Sequence, residues 1–121
     1  MAIPHARPGE VIDLRPLGER LAQSRSHALI KTHALELIRV VLPAGQDFPP
    51  HSVYGEVTLL CIEGRVRVKA EAGEQELAAG ELVLLPAQDI HAVRALEDAS
   101  LLMTVQTPPG LPGSGSSTLK G

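Results

Sequence analysis

The chain has 121 residues, 44% of them hydrophobic and 21% charged, with a formal net charge of −3 and a pI of about 5.9. That length suits one domain with its own apolar core. The lack of a basic excess, with one Tyr, one Phe and no Trp, argues against nucleic acid as a partner, since phosphate tracking and base stacking both lack their residues.

The first ten residues, MAIPHARPGE, have neither the basic n-region nor the apolar h-region of a signal peptide. The apolar stretches are all far shorter than a membrane span, so no membrane association is expected. A single cysteine, Cys61, excludes an intramolecular disulfide. A soluble, cytoplasmic setting is the expectation. Residues 1–26 read as an N-terminal arm. Within it, DLRPLGERLAQS (13–24) offers one short helix, with Pro16 in its first turn and Leu17 and Leu21 as an i,i+4 apolar pair; Gly18 opposes it.

From residue 27 to 106 the character changes. Short segments rich in Val, Leu and Ile, at about 27–32, 35–42, 56–62, 65–70, 74–78, 81–85, 90–96 and 100–106, are separated by Gly, Pro, Asp and Gln. This punctuation predicts an all-β sandwich or barrel. RVRVK (65–69) alternates, which turns Val66 and Val68 inward and Arg65, Arg67 and Lys69 to water. Gly64 is expected to turn the chain just before it. VTLLCI (57–62), ELVLL (81–85) and LLMTV (101–105) are instead apolar on both faces. A domain of this size cannot cover both faces of several strands alone, which predicts a homodimer. An N-terminal arm folded across the sheet is the alternative cover, and the two are compatible. The tail TPPGLPGSGSSTLKG (107–121) has few apolar anchors and is expected to be disordered.

Two segments, GQDFPPHSVYGEVTLLCIEG (45–64) and GELVLLPAQDIHAVRA (80–95), carry spaced Gly, His and Pro residues that resemble the paired signatures of the cupin superfamily, in its RmlC-like, conserved-barrel form. In the first, Gly45, His51 and Gly64 fall at the family spacing. In the second, Gly80, Pro86 and His91 match, while Gln88 stands where the family has Gly and Ala95 where it has Asn. The resemblance covers about residues 27–106. It implies an antiparallel double-stranded β-helix, or jelly-roll barrel, with a pocket at one mouth.

It also implies a place for one divalent transition metal (Fe, Mn, Ni, Zn or Cu), held in the family by imidazoles and a carboxylate. By position His51 and His91 are the surviving ligands. Val53 stands at the second His position and Val57 at the acidic one, with Glu56 one residue early. Strand alternation sends Glu56 to the face opposite Val57 unless a bulge near Gly55 turns it inward. Thus His51, His91 and Glu56 are the candidate metal ligands, and the two imidazoles alone are the candidate polar pair of an apolar pocket. Tyr54, Gln88, Arg39 and Cys61 are further pocket candidates. For Tyr54 and Gln88 the simpler role is a turn residue, for Arg39 an outward position in a dimer seam, and for Cys61 a small apolar filler. Three functions remain open on these residues. The favoured one is binding of a small organic molecule beside a degenerate metal site. The second is a metal-dependent dioxygenase, isomerase or decarboxylase acting on a small oxygenated acid or sugar. The third is a barrel that serves only as a dimerisation scaffold.

Overall fold

The computed structural model describes residues 5–51 and 53–108, with the backbone alone for residues 49–51. After a 3-10 helix, Gly18–Gln23, come nine strands. They are β1 (His27–Lys31), β2 (Leu35–Leu42), β3 (Asp47–His51), β4 (Val57–Glu63), β5 (Arg65–Ala70), β6 (Gly73–Ala78), β7 (Leu82–Leu85), β8 (His91–Ala95) and β9 (Ala99–Gln106). They form two antiparallel sheets, one in the order β1-β2-β9-β4-β7 and the other in the order β3-β8-β5-β6. The expected jelly-roll barrel is therefore present. The expected disordered tail lies, from residue 109 onward, outside the described residues.

Eight of the strands coincide with the apolar segments of the sequence. β3 does not, because its residues, DFPPH, include two prolines and no β-branched residue. It can carry Pro49 and Pro50 because it is the edge strand of its sheet, where missing N–H donors break few ladder bonds.

Alternation packs the two inner faces together. Ile38, Val40 and Leu42 of β2, Val57, Leu59 and Cys61 of β4, Val66 and Val68 of β5, and Leu101, Met103 and Val105 of β9 all belong to one core cluster. RVRVK keeps its predicted alternation, with Val66 and Val68 buried and Arg65, Arg67 and Lys69 exposed. Gly64 makes the turn before it at φ +81°, with its α-carbon so near the Asp98 carbonyl that a side chain would collide.

The outer face of the five-stranded sheet is partly covered by the N-terminal segment. Arg39, on the opposite parity to Ile38 and Val40, is buried there. Its guanidinium donates to the Arg15 carbonyl (2.6 Å) and the Asp13 carbonyl (3.4 Å). Glu63 holds the same segment from the end of β4. Its carboxylate accepts the Leu17 N–H (2.8 Å), the Gly18 N–H (3.0 Å) and the Ser100 hydroxyl (2.5 Å), with Arg39 4.0 Å away. Those two N–H groups precede the first intrahelical bond, so the carboxylate caps the start of the 3-10 helix. Leu21 is its buried residue.

Burial pulls the Glu63 carboxyl upward in pKa. The Ser100 hydroxyl, the two N–H donors and the Arg39 charge outweigh burial and hold it below the ordinary value of 4.5. A carboxyl lowered in the folded state contributes stability that is complete above its ordinary range and is lost as pH falls through the lowered value. Amide exchange of Leu17 and Gly18 should therefore stay protected from neutral pH down to the ordinary glutamate range and lose protection below it. A pH series of exchange rates checks this, and Glu63→Gln should flatten the dependence.

Candidate functional site

The strand directions bring one set of ends together. The starts of β2, β4 and β8 and the ends of β1, β3, β7 and β9 lie at the same end of the barrel, as the pairings Lys31↔Glu36, Glu36↔Val105, Val57↔Val105, Val57↔Leu85 and His51↔His91 require. This end is the mouth. Its described loop residues, 53–56 and 86–90, include Val53, Glu56, Pro86 and Gln88 of the motifs.

His91 opens β8 and faces inward, in step with Val93 and Ala95, and is 1% exposed. Its Nδ1 lies 3.1 Å from the Asp89 carbonyl, which orients the ring. Asp89 is itself buried and accepts the Glu71 N–H at 3.2 Å. The backbone of His51 pairs directly opposite His91; its side chain is not among those described.

The other motif positions are apolar and inward. Val53 and Val57 are both buried members of the core cluster. Glu56 is exposed, one residue before β4. The pairing of β4 with β9 runs evenly from Val57 to Cys61, and its irregularity lies at Cys61–Glu63, not near Gly55. Gly55 serves another purpose. A β-carbon there would sit 1.7 Å from the Gln106 carbonyl oxygen, so only glycine lets the two chains approach, and the Gln106 N–H bonds the Glu56 carbonyl at 2.9 Å. Glu56 thus faces water while Val57 takes the inward place.

The remaining candidates are dispersed. Tyr54 is exposed on the mouth loop. Gln88 has φ +65°, a left-handed conformation that costs an L-residue roughly 1–2 kcal/mol. Its N–H bonds the Val53 carbonyl at 2.8 Å and ties the two mouth loops together. The family's glycine at that position has the same conformational cause. Arg39 does not reach the mouth. Its parity turns it outward, under the chain's own N-terminal segment. Cys61 is fully buried four residues along β4 from Val57, roughly 13 Å at the usual rise of a strand. Burial chiefly, with nearby carboxylates, raises its thiol above the ordinary value, which opposes a nucleophilic role. It is a core filler.

One site residue escaped the sequence reading. Glu36 shares the inward parity of Ile38, Val40 and Leu42 and is 6% exposed. It stands in the row Glu36–Val105–Val57–Leu85 at the mouth. Its signal was available in the sequence as the residue two before Ile38.

Alongside the mouth, a cleft of about 370 Å³ opens between β6 and β7, at the free edges of the two sheets. Val68, Leu77, Val83 and Leu85 line it, with Pro86 and Asp89 at its mouth end. Among the described residues no three His, Cys, Asp or Glu side chains stand close enough to share a metal ion. The His51 side chain lies outside the described residues and is not included there. Val53 and Val57 offer the family's metal no lone pair, and Glu56 points to water.

The family model described as Cupin domain matches residues 38–106. The chain belongs to the cupin family. Among solved structures, a conserved protein of unknown function from Streptococcus pyogenes is 22% identical with a TM-score of 0.70, over 91% of this chain and 97% of the other. A cupin superfamily protein from Desulfitobacterium hafniense is 17% identical with a TM-score of 0.70, over 85% of this chain and 100% of the other. KdgF from Halomonas sp. is 21% identical with a TM-score of 0.62, over 70% of this chain and 79% of the other. At these identities the likeness is one of fold. No curated protein matches the chain. Among the described residues no helix is long and apolar enough to cross a membrane.

Proposed function

We propose that this cupin binds a small organic molecule between its sheets, with His91 as a polar anchor and without a tightly held metal. The observation that carries this reading is the cleft, where Val68, Leu77, Val83 and Leu85 are joined by Gln75, Glu76, Glu81 and Asp89. Its volume falls within the range of small-molecule sites, roughly 300–1,000 Å³, and it ends at Asp89, whose carbonyl orients His91. Valines at two ligand positions favour an apolar occupant over a cation. A metal-dependent enzyme built on His51, His91 and Glu56 is the weaker reading, because Glu56 is exposed.

A set of small carboxylic acids, screened by NMR on the untagged protein, tests the proposal. Members that bind should shift the ring signals of His91, and His91→Ala should weaken them about tenfold, the worth of one hydrogen bond to a charged group. Shifts confined to the outer surface, or binding indifferent to His91→Ala, would refute it.

The partner of the outer face is proposed to be a second copy of the chain. Leu82 and Leu84 on the edge strand β7 are 62% and 58% exposed. Leu82 continues across the sheet into the row Leu60–Leu102–Arg39, of which Arg39 is the end bonded to the N-terminal segment. Light scattering at micromolar concentration should report a dimer, and Leu82→Glu with Leu84→Glu should give a monomer of unchanged fold. A monomeric wild type excludes this partner.

A further inference from the structure

Glu36, Glu63 and Asp89 are drawn away from water, and they differ in their company. Asp89 accepts the Glu71 N–H. Glu63 has two backbone N–H donors, a hydroxyl and a nearby guanidinium. Glu36 has none. Among the described residues its side chain enters no hydrogen bond or ion pair, although Lys31 sits opposite it on β1 and on the same face.

Its direction is fixed from both sides. On β2 it keeps step with Ile38, Val40 and Leu42, and across the sheet it is paired with Val105, a fully buried core residue. It therefore points into the barrel, at the end where β8 begins with His91. The fully enclosed side-chain polar atom that lacks a partner among the described residues is Arg39 Nε. The oxygens of Glu36, equally partnerless among the described residues, consequently keep some accessible surface, although Glu36 does not line the cleft between β6 and β7.

A carboxyl carried into an apolar layer without a donor is costly. A Leu or Met in its place would fill the same volume against Val105 and be more stable. Such a cost is characteristic of a group kept for a ligand.

We infer that Glu36 is the acceptor of the mouth site, and that it takes an N–H or O–H donor of a small polar organic ligand, an amine or a polyol, bound at the mouth end of the row Glu36–Val105–Val57. This rests on the reading above that the barrel holds a small organic molecule, and it adds the donor chemistry of that molecule.

Ethanolamine and xylitol serve as probes of the two donor sources, titrated by NMR into the full untagged chain, its Glu36→Gln and Glu36→Met variants, and His91→Ala. At least one probe should shift the amide signals of Val57 and Val105. Glu36→Gln should weaken that probe about tenfold or more, as loss of a charge-assisted hydrogen bond does. Glu36→Met should abolish binding while raising the melting temperature. A response to ethanolamine alone assigns an ammonium donor, and a response to xylitol alone or to both assigns a hydroxyl-compatible one. The inference is overturned if neither probe shifts those amides, or if Glu36→Gln binds as the wild type does. It is also overturned if both Glu36 variants melt lower or fail to fold, which would make the carboxyl a structural group. Small acids that still bind through His91 while Glu36→Gln changes nothing would remove this inference alone. No binding by any acid, amine or polyol would remove the underlying reading as well.

Discussion

Side chains along a β-strand alternate between two faces, and in this barrel that rule settles the direction of every residue on which function turns. Once Ile38 and Val40 are core residues, Arg39 must face outward and Glu36 inward. Once Val57 is inward, Glu56 must face water. An inserted residue could have reversed either outcome, but the pairing of β4 with β9 stays even from Val57 to Cys61. Gly55, pressed against Gln106, anchors that register at its start.

The two faces of the five-stranded sheet treat polar groups differently. On the outer face, Arg39 and Glu63 are covered by the chain's own N-terminal segment, and each pairs with that segment's backbone. They convert an arm of little intrinsic structure into a lid over β2. Inside the barrel, Glu36 of this sheet and His91 of the facing one stand among valines and leucines at the mouth. His91 is oriented by the Asp89 carbonyl, whereas among the described residues no donor meets the Glu36 carboxylate. Glu63 on the outer side, by contrast, is saturated, and Arg39 is paired through its terminal nitrogens but not its Nε.

Much of this was legible in the sequence. Alternation in RVRVK, apolar segments of strand length and two spaced motifs were enough for the barrel, and the motifs placed Val53 and Val57 where ligands stand in the family. β3 was not legible, because two prolines and a single aromatic look like a loop until an edge position makes them tolerable. The role of Gly55 was hidden for a similar reason. Its neighbour in space, Gln106, is fifty-one positions away, so glycine there reads as a bend when it is a contact. Glu36 went unread because LELIRVVL drew attention to Arg39 as the odd charge in an apolar strand. Counting by two from Ile38 selects Glu36 as the inward one.

The account depends on what an apolar mouth does to the family's metal chemistry. Valine at two ligand positions and an outward Glu56 leave imidazole without a motif carboxylate, and imidazole with water alone makes a weak, unselective site. Metal content of the untagged protein, measured by mass spectrometry after loading in turn with Fe, Mn, Ni, Zn and Cu, tests this most directly. The account predicts far less than one ion per chain for every metal. Near-stoichiometric metal that disappears in both His51→Ala and His91→Ala would contradict it.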